Sequence, residues 1–289
     1  MPPLTIQRAL QFWDECCVIN MLIKQFSAAL IGLMLVASTA RADEGAAKQQ
    51  LASTGNLRVA IAVGPAPSGI YAVKDATTGT YRGVTIDLSK RLAEKLGVPL
   101  VLVPYLGSGA IQGSAASGLW DVTFMPVDDD RRRIVDFGSP YHLLQSTYLV
   151  APNSALRTLA DANAAGVRIA GVKDTATLRA STRASPKATH IELDGVAAAI
   201  ELMRLGQADA IALGRASLGG LLAKLPGSSV LDGAFLNSTT AVAVPKGNSA
   251  ALEYVSKFIE EAKASGLVRR AFDDVGLVSE QIAPLGMKP

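Results

Sequence analysis

A run of acids and arginines carries most of the polar chemistry in this 289-residue chain. Between Asp121 and Tyr141 the sequence reads DVTFMPVDDDRRRIVDFGSPY. Asp is favoured at a helix N-cap and complements the positive end of the helix dipole, so the acids from Asp128 on predict that a helix begins there. Arg131 then falls in the first turn, where its planar guanidinium and free backbone N–H groups could hold a carboxylate. Taken alone, six such charges are more typical of a solvated face than of a binding site.

A targeting signal precedes the folded part of the chain. Residues 21–42 read MLIKQFSAALIGLMLVASTARA, with basic Lys24, an apolar run and a small-x-small cleavage site, so we predict export and cleavage after Ala42. The apolar run is shorter than the ~20 residues that span a bilayer, and an uncleaved anchor is the alternative. Residues 1–20 fit no part of a signal, so translation starts at Met1 or, as we favour, at Met21. Mature residues from the cleavage site to about Gly55 look like a polar leader.

Composition excludes several kinds of site. Cys16 and Cys17 precede the predicted cleavage, so the mature chain has no disulfide, thiol nucleophile or Cys-based zinc site. The two histidines, His142 and His190, lie far apart in sequence and offer little to a metal site or a serine triad. A net charge of +3 gives no reason to propose nucleic acid or a membrane surface as a partner. We therefore predict no metal and no cofactor.

The first half of the mature chain alternates strands and helices. Helical spacing stacks four apolar residues between Val84 and Leu96, and Gly97 and Pro99 end that helix. Such alternation predicts a parallel sheet of α/β type, in which ligands collect beyond the carboxyl ends of the strands. The predicted elements are a strand at 57–63, the helix at 84–96, a strand at 100–103, a weak helix at 108–117 and a strand at 122–125.

The same rhythm starts again after residue 146. Gly118-Leu-Trp-Asp121 precedes a strand in the first half, and Gly206-Gln-Ala-Asp209 precedes one in the second, which predicts two similar lobes. Extended segments near 147–152 and 237–244 connect them and predict a hinge with a ligand cleft. We predict a lobe 1 of residues 43–148 plus 243–289 and a lobe 2 of residues 149–242.

Four segments give the mature chain a family resemblance. It resembles the extracytoplasmic solute-binding proteins, family 3, of amino-acid-type ABC transporters, which have the periplasmic binding protein-like II fold. The resemblance implies two lobes, each a mainly parallel sheet flanked by helices, joined by a two-strand hinge. The segments are GTYRGVTIDLSKRLAEKLGVPL (79–100), DVTFMPVDDDRRRIVDFGSPY (121–141), VRIAGVKDTAT (167–177) and GQADAIAL (206–213).

The resemblance also implies a set of ligand-binding positions. In relatives an arginine six residues before a phenylalanine binds the ligand's α-carboxylate; counting back from Phe137 gives Arg131. A hydroxyl or backbone N–H just before it corresponds to Pro126 and Asp128. A turn from the second lobe also donates to the carboxylate. The implied positions are Met125, Pro126, Asp128 and Arg131 in the first lobe and Asp174, Thr175, Ala176 and Thr177 in the second.

Two departures from the family pattern concern the ligand's charge. The aspartate that usually holds the α-ammonium is replaced by Gly214, which Arg215 follows. An aromatic lid from the first loop is also missing, since Gly64-Pro65-Ala66-Pro67 stands there. Loss of an acid beside a gained arginine favours a ligand with less positive charge. Asp174 could replace the lost acid, so an amino acid stays possible.

We predict a periplasmic, monomeric binding protein that delivers a small carboxylate-bearing solute, an amino acid or a related organic acid, to an inner-membrane ABC permease. We find no pair of a general acid and a general base that would indicate an enzyme. The alternatives are a periplasmic dehydratase acting on cyclohexadienyl acids, for which His142 and Asp174 are the candidate proton donors, and a binding subunit that serves sensing or another pathway.

Overall fold

The computed structural model describes residues 43–63 and 68–289. The predicted signal, its cleavage site, the choice of start codon and both cysteines lie outside these residues, as does most of the Gly-Pro-rich first loop. Within the described residues, every helix is too short or too polar to cross a membrane.

The chain alternates strands and helices through its first half. The elements are α1 (residues 43–51), β1 (Leu57–Ala62), β2 (Val73–Lys74), β3 (Tyr81–Arg82), α2 (Val84–Leu96), β4 (Leu100–Tyr105), α3 (Ser108–Gly113), β5 (Val122–Pro126) and α4 (Asp129–Arg132). These bounds confirm the predicted strands and helices of this half to within a few residues.

A long strand then leads into the second half. The elements are β6 (Val135–Val150), β7 (Arg168–Val172), α5 (Ala176–Ala184), β8 (Thr189–Leu193), α6 (Val196–Arg204), β9 (Ala210–Gly214), α7 (Arg215–Leu222), β10 (Ser229–Val230), β11 (Leu236–Pro245), α8 (Ser249–Ala264) and α9 (Leu267–Asp273).

The strands form one mixed sheet with two halves, which gives the α/β, two-lobed architecture. The order along the sheet is β4-β1-β5-β11-β6-β9-β7-β8, with β10 paired to β6 and β2-β3 as a separate ribbon. β1 lies parallel to β4 and β5, and β7 lies parallel to β8 and β9. Only β6 and β11, which are antiparallel to each other, run between the two halves.

The change of partner along β6 locates the crossing between halves. β6 pairs with β11 up to Ser146, and from Ser146 to Val150 it pairs with β9. On β11, Thr240 to Ala243 pair with β5 of the first half. The change of partner on β6 thus lies at Ser146, next to the segment 147–152 named from the sequence.

The first half is built on the predicted face of α2. Val84, Leu88, Leu92 and Leu96 are all buried, and Gly97 ends the helix with a left-handed φ of 63°. At that backbone angle a glycine carries no Cβ penalty.

The expectation of a polar leader up to Gly55 is wrong. Ala47 and Leu51 belong to the same apolar core as α2, and the Gln50 side chain accepts a hydrogen bond from Ala251 N at 2.8 Å. Alternation of alanines with charged and amide residues concealed an amphipathic helix there. The folded part of the chain therefore begins before β1.

Candidate functional site

A cavity of about 160 Å³ lies between the two halves of the sheet. Its lining comes from the loops that follow strands of both halves, at the edge where α/β sheets collect ligands. Leu106 to Ser108 and Pro126 line it from the first half, where they follow β4 and end β5. Thr175 to Thr177 and Gly214 line it from the second half. Five of the ten predicted ligand-binding residues therefore line this cavity: Pro126, Thr175, Ala176, Thr177 and Gly214.

Arg131 lies in the wall behind this lining. Its side chain is fully buried. Nη1 donates to Pro126 O at 2.9 Å and Nη2 to Ser108 Oγ at 2.8 Å, so the guanidinium contacts two residues that line the cavity. Burial lowers the pKa of Arg131 to about 10, while Asp128 opposes that shift. The guanidinium is thus a desolvated cation, in surroundings where electrostatic interactions are stronger than in water.

Asp128 does what its position before the helix predicts. Its carboxylate accepts hydrogen bonds from Asp130 N and Arg131 N, at 3.0 and 3.1 Å, and so caps α4. Its other oxygen pairs with Arg179 of the second half and lies 3.6 Å from Arg131 Nε. Arg179 Nε also lies 3.2 Å from Asp130 Oδ2. These ion pairs hold α5 of one half against α4 of the other.

The two remaining arginines of the run point outward. The side chains of Arg132 and Arg133 are 43% and 78% exposed, so they form the solvated face that such charges usually make. Burial therefore distinguishes Arg131 from its two neighbours.

The turn at the start of α5 brings the second half close to the first. Thr175 caps α5 by accepting from Leu178 N, and the Thr177 hydroxyl lies 3.1 Å from Ser146 Oγ. Asp174 has a left-handed φ of 58°. Its carbonyl accepts from Arg131 Nη2 at 3.4 Å, whereas its side chain is exposed and does not line the cavity.

Of the remaining predicted residues, Gly214 lines the cavity, whereas Met125 and Arg215 do not. Met125 is fully buried in an apolar cluster and does not line the cavity. Gly214 ends β9 at the lining, but Arg215 turns away, and its Nη2 donates to Leu231 O and Gly233 O. Arg131, Met125, Asp128, Asp174 and Arg215 therefore lie outside the lining.

A polar corner of the cavity contains residues that sequence analysis did not assign to ligand binding. Tyr71, His142 and Glu280 all line it. His142 Nε2 lies 2.8 Å from Glu280 Oε2, and Nδ1 lies 3.3 Å from Thr240 Oγ1. The pKa of the Tyr71 phenol is raised because it is buried, although Arg131 opposes that shift. Tyr71, from the segment after the first loop, is thus an aromatic lining residue that the sequence had not indicated.

The hydrogen bonds of this corner define the His142 tautomer. An ionised carboxylate only accepts, so Nε2 carries the proton that it donates to Glu280. In the neutral imidazole Nδ1 is then the acceptor for the Thr240 hydroxyl. Among the described lining residues, Glu280 is the single one with a full charge, apart from His142 if it is protonated. No cluster of three His, Cys, Asp or Glu placed to hold a metal occurs within residues 43–63 and 68–289.

Comparison with known protein families identifies the class of this architecture. The family described as "Bacterial extracellular solute-binding proteins, family 3" matches residues 57–274, which is most of the chain. The ABC transporter glutamine-binding protein GlnH of Bacillus subtilis (strain 168) is 23% identical over 264 residues, covering 84% of this chain and 93% of that protein.

Two solved structures share the fold. A mutant of ArgBP from T. maritima superposes with a TM-score of 0.69 at 24% identity and covers 79% of this chain and 98% of its own. The second is the ancestral amino acid-binding protein AncCDT-1, described as a precursor of cyclohexadienyl dehydratase. It superposes with a TM-score of 0.67 at 26% identity and covers 78% of this chain and 97% of its own. AncCDT-1 is described as an amino acid-binding protein, and the similarity of both structures supports the two-lobed fold of this chain.

Proposed function

Because the chain belongs to family 3 of the bacterial extracellular solute-binding proteins, we propose that it captures an amino acid or related carboxylate-bearing solute in the cavity between its halves. The similar proteins are described as binding glutamine or as amino acid-binding, which supports this class of ligand. It delivers the solute to an inner-membrane ABC permease. Binding is reversible and closes the two lobes on the ligand.

The buried Arg131 guanidinium is the observation that carries this proposal. A desolvated arginine beside the lining can turn a planar pair of donors to a carboxylate, and such charge-assisted bonds are the strong ones. Ser108 Oγ and Pro126 O now accept from it, and a ligand carboxylate would compete for the same donors. The Thr175 to Thr177 turn supplies backbone and hydroxyl groups from the opposite side.

Location and assembly complete the proposal. The signal at residues 21–42 directs the chain to the periplasm and is cleaved after Ala42, and the protein acts as a monomer. The lobe boundaries stay a prediction, at 148/149 and 242/243. Strand pairing favours a crossing nearer Ser146 on β6 and nearer Thr240 on β11.

A panel of ligands tests the carboxylate site. Wild-type protein is screened by thermal shift against L-amino acids, dicarboxylates and aromatic acids, since a ligand at a hundred times its Kd adds about 2.7 kcal/mol of stability. Arg131→Lys keeps the positive charge but loses the planar pair of donors, and Arg131→Ala loses both. We expect each to weaken binding of the best ligand, Arg131→Ala by about 2 to 3 kcal/mol or more.

Arg132→Ala is the matched control, because it removes an exposed arginine one residue away. It should leave affinity unchanged. Unaltered calorimetric affinity in a folded Arg131→Lys or Arg131→Ala variant would contradict the assignment of the carboxylate site.

One observation favours a second candidate, an enzyme of the cyclohexadienyl dehydratase kind. His142 and Glu280 form a hydrogen-bonded pair at the cavity, where a proton donor could act. Asp174, the other donor considered from sequence, has its side chain away from the lining. Incubation with prephenate or arogenate decides between the two functions: an aromatised product supports the enzyme, and unchanged substrate supports binding alone.

A further inference from the structure

The charge of the cavity lining conflicts with the ligand charge expected from sequence. Replacement of an acid by Gly214 beside Arg215 suggested a ligand with less positive charge. Arg215 instead donates to carbonyls of Leu231 and Gly233 and does not line the cavity. The described lining contains a carboxylate and no lysine or arginine, and Gly64-Pro65-Ala66-Pro67 add no charge. The lining therefore presents a carboxylate, while the arginine lies behind it.

That carboxylate belongs to Glu280, in the segment that follows α9. Its side chain is 18% exposed, and the oxygen Oε2 accepts from His142 Nε2. Because His142 uses one oxygen, Oε1 keeps its lone pairs for a donor in the cavity. An ammonium group is such a donor, and it would add an opposite charge to a partly buried carboxylate.

The backbone around Glu280 is fixed from two sides. Arg269 Nη1 donates to Glu280 O at 2.7 Å, and its Nη2 donates to Leu277 O at 2.8 Å. Leu143 N donates to Gln281 O at 2.9 Å, so the segment pairs with β6. A carboxylate on such a segment is preorganised, and a ligand loses little free energy in ordering it.

We propose that Glu280, held by His142, binds the cationic nitrogen of the ligand in place of the acid absent at Gly214. This inference rests on the proposed function, since it assigns a second subsite to the same cavity. The ligand is then a zwitterion or cation, such as an α-amino acid, rather than a dicarboxylate or another acid without an amine. Glu280 lies beyond residues 57–274, the part of the chain that the family comparison covers.

Matched ligand pairs test the amine subsite. The probes are L-glutamine and L-arginine, each beside its counterpart lacking the α-amino group, measured by calorimetry with the mature chain. Glu280→Gln keeps an oxygen that accepts from His142 but removes the charge. We expect wild type to prefer the amino acid, and Glu280→Gln to weaken the amino acid by about ten- to a hundredfold while changing the des-amino counterpart little.

The control is Glu94→Gln, which removes one negative charge from an exposed side chain of α2. This variant should bind both members of a ligand pair as wild type does. The control thus separates the loss of one negative charge from the loss of the Glu280 contact with the ligand amine. Unfolding midpoints without ligand should agree among the three proteins.

Gly214→Asp, made both in wild type and in the Glu280→Gln background, tests the amine subsite in a second way. A Cβ at Gly214 would lie 3.4 Å from Leu144 Cδ1, an ordinary contact, so Gly214→Asp fits at the lining. In the Glu280→Gln background, Gly214→Asp should restore at least part of the preference for the amino acid over its des-amino counterpart. In wild type, the same substitution should strengthen that preference.

Two outcomes overturn the inference while leaving the proposed function standing: amino acid and des-amino counterpart binding equally to wild type, or Glu280→Gln binding the amino acid as tightly as wild type. If no carboxylate ligand of the wider panel binds wild type, the proposed function fails and takes this subsite with it.

Discussion

The two halves of the sheet anchor corresponding strands with the same ion pair. In the first half Arg58 donates to Asp121 from its backbone N at 2.9 Å, from Nε at 3.0 Å and from Nη2 at 2.6 Å. In the second half Arg168 donates to Asp209 from the same three atoms at 2.8, 3.0 and 2.7 Å. Each aspartate directly precedes its strand, β5 or β9, and each pair joins that strand to a parallel neighbour.

The two pairs differ in burial. The Asp121 side chain is 4% exposed, whereas that of Asp209 is 34% exposed. Exposed pairs are weakened by solvent and salt, and removal of one partner from a buried pair leaves a charge without compensation. The same geometry should therefore stabilise the first half more than the second.

The halves differ again where the strands reach the cavity. Pro126 stands five residues after Asp121, and Gly214 stands five residues after Asp209, and both line the cavity. The first half continues into α4 with two acids in its first turn, and the second into α7 with none. The repeated scaffold thus delivers equivalent, uncharged positions to the cavity, and the helices that follow them differ in charge.

The largest test of this comparison removes the aspartates. Asp121→Ala should lower the free energy of unfolding by about 2 to 4 kcal/mol, because it leaves Arg58 without its hydrogen-bonded charge partner. Asp209→Ala should cost less than half as much. Urea unfolding of both variants measures the difference, and equal losses would show that burial does not separate the two pairs.

Substitution of the glycine before each aspartate should cost a smaller and equal amount of stability in the two halves. Gly118 and Gly206 precede the aspartates with φ of 67° and 66°, and a Cβ at either would meet no atom within 4 Å. Substitution by Ala costs backbone strain without a clash, so Gly118→Ala and Gly206→Ala should each destabilise by about 1 kcal/mol. Clearly unequal values from the same unfolding measurement would break the parallel between the halves.

The smallest effect is a pH dependence. The hydrogen bond from Arg168 holds the pKa of Asp209 below its usual 3.8, although burial opposes the shift. A lowered folded pKa contributes stability above the unfolded value, and that contribution is lost as pH falls through the folded value. The difference in unfolding free energy between wild type and Asp209→Asn should therefore shrink between pH 5 and about pH 3, measured by urea unfolding at each pH. A constant difference across this range would contradict the linkage.

Local signals in the sequence were sufficient for most of the fold. Apolar spacing predicted α2, glycines ended it, and the acids before α4 predicted its cap at Asp128. Arg131 was identified by its distance from Phe137, but its hydrogen-bond partners Ser108, Gln112 and Asp174 are brought near only by the fold.

Glu280 could not have been found in the same way. Its partner His142 is 138 residues away in sequence, and nothing around Glu280 has the spacing of a site. The helix before β1 was missed for a different reason, since Ala47 and Leu51 are too few to show a clear period. Contacts between residues far apart in the sequence thus could not be predicted, whereas helices marked by apolar periodicity or by capping residues could.

The irregular register between β6 and β11 has a consequence for domain motion. The ladder shifts on both sides of Ala241, next to the pair Thr240 and His142. Because both strands continue unbroken through this point, rotation of one half against the other must be absorbed by backbone torsion angles rather than by a loop. A bulged ladder has fewer hydrogen bonds to resist such torsion. We expect the rotation axis to pass through this bulge, so that the imidazole beside the cavity also lies on the axis about which the protein closes.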